Sequence, residues 1–279
     1  MAGWTAALAV LLSEVPGAGR RVWDEEPVLV CLLGTFRLLV EGRLVAVRTG
    51  GKTEALLGHL ALAGGAGMPR EALLNWVWPT AEPALALEAL KSLLHALRRV
   101  VGNALGGAGP VVQGSGYVRL NSEAGVGVDV AHFNHLVASA HEEQQAGDLA
   151  RAARCYEHAL DLYRGDLAMF GKDQMRTVIQ RERLRATYLS VLVRLADLAY
   201  ARGDLSSCLT YTSQLLDHDP GREDAHRYVM RCYVRLGQRA QALRHYDMVC
   251  AVLLAEFNAA PEPATRALFD QIRLDPGAI

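Results

Sequence analysis

Between Pro83 and Gly102 stand Leu87, Leu90, Leu94, Leu97 and Val101, spaced 3, 4, 3 and 4 residues apart. That spacing marks one helix with one continuous apolar stripe, and the stripe demands a partner to bury it. Pro83 suits a first helical turn, and Gly102, followed by Gly106 and Gly107, ends the helix. The opposite side presents Glu88, Ser92, His95 and Arg99, with Lys91 and Arg98 flanking. Such a face donates hydrogen bonds and becomes more basic toward its end. Lys and Arg heads can neutralise phosphate, while Ser92 and His95 can reach base edges. The plainer alternative is an ordinary solvated helix face.

The neighbouring segments weigh against the plainer one. Residues 28–33 and 35–40 are apolar and β-branched around Gly34. Glu41-Gly42-Arg43 is a turn, and residues 44–47 return as a strand. A helix follows over residues 52–63, with Leu56, Leu57, Leu60 and Ala63 at helical spacing, stopped by Gly64, Gly65 and Gly67. A second helix starts at Pro69 or Arg70 and runs to Trp76 or Trp78. The striped helix is third. Residues 111–113, a Gly114-Ser115-Gly116 corner and residues 117–120 then read as a hairpin. Sheet, three helices and hairpin is the order of a winged helix-turn-helix.

Thr49-Gly50-Gly51-Lys52-Thr53 looks like a phosphate-binding loop but is not one. The G-x-x-x-x-G-K-[ST] pattern needs Gly where Ala46 stands, and no β–α sheet with an acidic magnesium ligand follows. Lys52 is expected at the start of the first helix, within reach of a DNA phosphate.

Charge divides the chain as well. Residues 28–122 hold nine Lys/Arg against five Asp/Glu, and residues 123–279 hold 18 against 21, within a total of −1. A basic piece suited to an anion precedes a mildly acidic one. The balance excludes both a polybasic tail and an acidic disordered chain. No apolar run approaches a membrane span. The five cysteines are scattered and odd in number, so a reducing, cytoplasmic setting is expected. The apolar stretch from Ala6 to Leu12 lacks the charged start of a signal peptide and is expected to be an extension over residues 1–27.

After a Gly/Val-rich stretch at 123–128, read as a linker, the chain is helical and repetitive. Gly147-Asp148, Gly203-Asp204 and Gly237-Gln238 are each followed by small residues: Ala152-Ala153, Cys208-Leu209 and Ala242-Leu243. An aromatic then follows at Tyr156, Tyr211 and Tyr246. The last two glycines are 34 residues apart, the period of a tetratricopeptide hairpin. The 56-residue gap before them accommodates one long helix over roughly residues 173–201, preceded by a loop at 164–171. The fold class is therefore multidomain and mainly α. A winged helix-turn-helix with a small β-sheet and wing hairpin spans 28–122, and an all-α tetratricopeptide-like domain spans 129–279.

A basic cluster on the second domain includes Arg222, His226, Arg227, Arg231 and Arg235, with Arg181 and Arg185 on the long helix. Two readings stand: intra-repeat ion pairing with neighbours such as Glu182, Glu223 and Asp224, or a concave pocket for a small anion or an acidic peptide. His132, His135, His141, Cys155 and His158 give no metal quartet. No nucleophile turn accompanies the dispersed Ser and His residues, so neither an enzyme nor a cofactor is expected.

Several motifs carry a family resemblance. They are Leu33-Gly34-x-Phe36, Glu41-Gly42-Arg43, Gly51-Lys52-Thr53-x-Ala55-Leu56-Leu57, the run from Leu73 to Trp78 before a Pro-rich loop, Leu97-Arg98-Arg99, and Gly116-Tyr117-x-Arg119-Leu120. Together they resemble the OmpR-type winged helix of the antibiotic-regulatory-protein (SARP) transcriptional activators. Ala153-x-x-Tyr156-x-x-Ala159-Leu160-x-Leu162-Tyr163-Arg164-Gly165, the runs 181–185, 219–226 and 237–246, and the tail around Pro261-x-Pro263 resemble the bacterial transcriptional activator domain of the same family. The likeness covers about residues 28–273.

The resemblance implies that residues 83–101 form the recognition helix and 111–120 the wing. The DNA-contacting set is then Lys52, Lys91, Ser92, His95, Arg98, Arg99, Ser115, Tyr117 and Arg119. It also implies promoter repeats bound by two protomers, and contact with RNA polymerase near its sigma factor. Ala96 stands where such proteins often carry Arg, and Leu85 and Glu88 are poor for phosphate; these favour binding as a homodimer or beside another protein. The alternative is a sensor or scaffold whose repeats bind a peptide or small anion, with the winged helix as a protein-docking module.

Overall fold

The computed structural model describes residues 26–170 and 174–279. Most of the extension expected at 1–27 therefore lies outside the described residues. The chain divides into two compact units. The first comprises the described residues up to His132 together with Ala168–Thr177; the second comprises Phe133–Leu167 and Val178–Ile279.

In the first unit, β1 (Val28–Cys31), β2 (Arg37–Val40) and β3 (Arg43–Val45) form the expected antiparallel meander. All four residues of β1 are buried because it is flanked on both sides, by β2 and by the strand Val126–Val128 (β7), in the sheet order β3-β2-β1-β7. Helices α1 (Lys52–Ala63) and α2 (Arg70–Val77) follow, separated by the short strand β4 (Met68–Pro69). Then come α3 (Pro83–Val101), β5 (Val111–Gly114) and β6 (Tyr117–Leu120). The wing is wider than the expected hairpin, because β4 pairs with β6 in a three-stranded sheet ordered β4-β6-β5. A two-residue strand ending in Pro69 leaves no period-2 signal in the sequence. At the wing turn, Ser115 and Gly116 both take positive φ, 51° and 79°, the geometry of a two-residue hairpin turn matched to strand twist.

The stretch read as a linker is corrected by the seventh strand. Val126–Val128 is β7, pairing in parallel with β1 through Val28↔Val126 and Val30↔Val128. Gly127 belongs there for steric reasons, since an added Cβ would stand 2.8 Å from the Glu26 side chain. Two valines around a glycine are too few to show alternation, and only the parallel neighbour reveals the strand.

Helix α4 (Asp129–Gln145) begins directly after β7. Its first residue is 1% exposed. The Asp129 carboxylate accepts hydrogen bonds from the N–H groups of Leu32, Leu33 and Val130, each at 2.8 Å. It thereby ends β1 and starts α4 with the same side chain, satisfying donors that burial would otherwise leave unpaired.

The second unit stacks helices in pairs. The expected punctuation is present: Gly147, Gly203 and Gly237 take φ of 86°, 78° and 74° at equivalent corners. Asp148 and Asp204 cap the helices that follow, α5 (Leu149–Leu162) and α7 (Leu205–His218), by accepting the N–H of Arg151 and of Ser207. The long helix is α6 (Gln174–Ala201), and α8 (Glu223–Arg235), α9 (Arg239–Phe257) and α10 (Pro263–Leu274) complete the stack. Ala152, Ala153, Cys208 and Ala242 are buried where helices approach most closely, and Tyr156 is fully buried beside them. Among the described residues no helix is long and apolar enough to cross a membrane.

Burial raises the Asp129 carboxyl from 3.8 to about 6, against the three N–H donors and the charge of Arg37, which pull it down. The folded chain thus holds this proton more tightly than the unfolded chain. The group's contribution to stability falls as pH rises from about 4 to about 6 and is constant above that. Asp129→Asn turns an amide NH2 toward backbone N–H groups. It is expected to lower stability by about 1–3 kcal/mol, with a gap to wild type that narrows across that window. Thermal unfolding at stepped pH measures it; a gap that widens with rising pH contradicts the assignment.

Candidate nucleic-acid interface

Helix α3 carries Pro83 at its start and Arg98 and Arg99 in its last turn, where cations oppose the exposed carbonyl end. Its inner face is the stripe read from the sequence. Leu90, Leu97 and Val101 are buried together with Ala86, while Leu87 and Leu94 are half-buried. Its outer face exposes Leu85, Glu88, Lys91, Ser92, His95, Arg98 and Arg99. On the wing, Ser115 is exposed, Tyr117 is 52% exposed and Arg119 is half-buried. The N–H of Arg70 donates to the Gly116 carbonyl at 2.8 Å, tying the wing turn to the first residue of α2.

Several of the expected DNA-contacting cations are already engaged. Lys91 pairs with Glu88 one turn away at 2.7 Å, and Arg119 pairs with Glu123 at 2.8 Å. Both are exposed pairs of little net strength that an arriving phosphate can replace. Arg98 donates through Nε and Nη2 to the Gly107 carbonyl, so its head fastens the loop after α3. Lys52 differs most from expectation. Its Nζ donates to the Val77 carbonyl at the end of α2, where a helix leaves carbonyls unsatisfied. It is a helix cap rather than a free phosphate contact. The phosphate-loop lookalike is likewise closed on itself, because the Gly50 N–H donates to the Glu54 carboxylate at 2.6 Å. Ser92, His95 and Arg99 remain outward, with no side-chain bond among the described residues.

Most of the second unit's basic side chains have partners close by. Arg181 pairs with Asp166, which also accepts the Tyr163 hydroxyl. Arg185 reaches the His218 carbonyl, and Arg222 grips Asp224 with two bonds. Arg227 meets Glu262 and the Thr265 hydroxyl, and Arg235 lies 4.1 Å over the Tyr200 ring while donating to its carbonyl. His226 contacts the Pro220 carbonyl and His245; Arg231 is half-buried on α8. These contacts are those of the packing alternative: each of these arginines except Arg231 bonds an acceptor within its own unit. Sequence reading missed Asp129, the cap made by Lys52 and the loop contact made by Arg98, since each depends on a partner that no local spacing announces.

A winged helix preceding a stack of paired helices defines the class of two-part transcription regulators. Residues 128–273 match the bacterial transcriptional activator domain, so the chain belongs to that family, in the SARP-type arrangement expected from its sequence motifs. The regulatory protein AfsR of Streptomyces coelicolor is 28% identical over 242 residues, which is 86% of this chain and 24% of AfsR. The regulatory protein DnrI of Streptomyces peucetius is 29% identical over 234 residues, which is 81% of this chain and 85% of DnrI. The chain thus spans about a quarter of the length of AfsR and most of DnrI. The structure of Mycobacterium tuberculosis EmbR, solved with a low-affinity phosphopeptide, shares the fold with a TM-score of 0.69 at 22% identity. That match covers 89% of this chain and 65% of the EmbR chain.

The imidazole pair in the second unit generates a prediction of its own. His226 Nδ1 lies 3.0 Å from His245 Nε2. Burial lowers both, and His226 adds to the effect on His245, which falls from 6.5 to about 4. A base whose folded pKa is depressed contributes stability above its unfolded value and loses it as pH falls toward the folded one. Wild type is therefore expected to lose stability between about pH 6.5 and pH 4 that His245→Asn does not lose. Parallel unfolding midpoints of the two proteins over that range would refute the assignment.

Proposed function

We propose that the chain is a DNA-binding transcription regulator that reads promoter repeats as two protomers, each inserting α3 into a major groove with its wing alongside. The observation that carries this reading is the outer face of α3. Ser92 and His95 face outward with no side-chain bond among the described residues and are available to base edges, and Arg99 is likewise available to phosphate. Lys91 and Arg119 join by exchanging their exposed carboxylates for phosphate. Ser115 and Tyr117 lie at the wing tip, where the backbone of the duplex passes a winged helix. Recruitment of RNA polymerase near its sigma factor, a cytoplasmic setting and activation rather than repression belong to the same proposal, supported by membership of an activator-domain family.

The bland features of α3 favour pairing. Glu88 repels phosphate, Leu85 offers it nothing, and four of the expected cations already have partners within the chain. A lone protomer therefore has few free charges for DNA, and two on adjacent repeats double them. The same scarcity supports the second reading, in which the winged helix docks protein and the repeats sense a peptide or small anion.

Mobility shift of the full chain on fragments selected from random DNA separates the readings. Binding is expected to weaken steeply with salt, and Arg99→Ala to reduce the slope of log K against log salt by about one. Arg98→Ala is expected to weaken binding with a smaller change in slope, because its head holds Gly107. No shift on any fragment at low salt would favour the docking reading.

A further inference from the structure

The first unit contains a piece of chain from far outside the winged helix. Between α5 and α6 the chain passes through residues 168–170, and Ala168–Thr177 belongs to the first unit. The Ala168 N–H donates to the Leu32 carbonyl at 2.7 Å, continuing the end of β1 where Asp129 already holds the Leu32 N–H. Phe170 is 5% exposed and lies in a slot over α1. That slot exists because residue 58 is glycine, since an added Cβ would stand 2.6 Å from the Phe170 ring. The ring meets His59 edge-on at 5.3 Å, and His59 in turn lies 5.0 Å from the Trp76 ring on α2. Arg176 covers Trp76 at 5.3 Å. Helix α2 packs directly on α3. A line of contact therefore runs from Phe170 through α1 and α2 to the helix proposed to read DNA.

We propose that residues 168–170 are a strap that completes the winged-helix unit and holds α1 and α2 in the arrangement that presents α3. Glycine in the middle of a helix is a poor helix former, so Gly58 weakens α1 locally, and the Phe170 ring fills the space it leaves. The winged helix read from sequence as 28–122 is then incomplete without the strap. Seated, the strap supports DNA binding; unseated, it releases α1 and α2 and weakens it. This last step rests on the DNA-binding reading above, whereas the seating does not.

The test uses the full chain, with hydrogen exchange of α1 and α2 as one readout and affinity for a selected DNA fragment as the other. Phe170→Ala is expected to speed exchange in both helices and to lower affinity about fivefold to tenfold. Gly58→Ala is expected to do the same in spite of its better helix propensity, because the new methyl evicts the ring. The double variant is expected to be no worse than either single one, since the clash disappears with the ring. Phe170→Leu, which keeps an apolar plug without the aromatic edge, should fall between wild type and Phe170→Ala and remains readable if the smaller residue unfolds the unit. Unchanged exchange in Phe170→Ala and Gly58→Ala, or additive effects in the double variant, would overturn the strap. If wild type binds no DNA while exchange responds as described, the functional reading fails and the strap stands.

Discussion

The end of β1 is where this structure is decided. Leu32 and Leu33 leave the sheet with N–H groups that no strand receives, and the Asp129 carboxylate takes both from 97 and 96 residues away. The same carboxylate accepts the N–H of Val130 and so opens α4. One buried side chain thus closes the sheet, fixes the parallel β1–β7 pair and sets the residue at which the helical half of the chain begins. Removing such a group from water is costly, and the three backbone donors offset part of the cost. The Leu32 carbonyl, on the other side of the same peptide plane region, receives Ala168. Three segments far apart in sequence are therefore joined at one residue.

This junction changes what counts as the winged-helix part of the chain. Its strands, three helices and wing are local and contiguous, but its sheet requires β7 and its helix pair is covered by Phe170 and Arg176. A family domain that begins at residue 128 overlaps the last residue of β7 and the Asp129 anchor. The limits of sequence similarity and of physical compactness fall at different places because β7 and α4 share one uninterrupted backbone.

At the interface itself, tertiary contacts redistribute charge that composition counts as free. Lys52 stabilises the end of α2, Arg98 holds the loop after α3, and Lys91 and Arg119 rest against carboxylates. What remains outward on α3 is a short polar row of Ser92, His95 and Arg99. In the second unit, Arg181, Arg185, Arg222, Arg227 and Arg235 bond to carboxylates, carbonyls and a tyrosine ring within the unit. Stacked helices bring such acceptors within reach of each long side chain, and local pairing satisfies the charge.

The sequence by itself determined the helices, the buried stripe of α3, the wing turn at Ser115-Gly116 and the Gly-Asp corners of the repeat, together with the family. Each of these is written in spacings of a few residues, which is the range over which periodicity and backbone preference act. Only the tertiary structure decided that residues 126–128 are a strand, that Asp129 is an anchor, that Phe170 belongs with Gly58, and which cations stay free. Those facts depend on partners tens of residues away, brought together by burial, and burial rewards any chain segment that fits without leaving a repeat in the sequence to announce it.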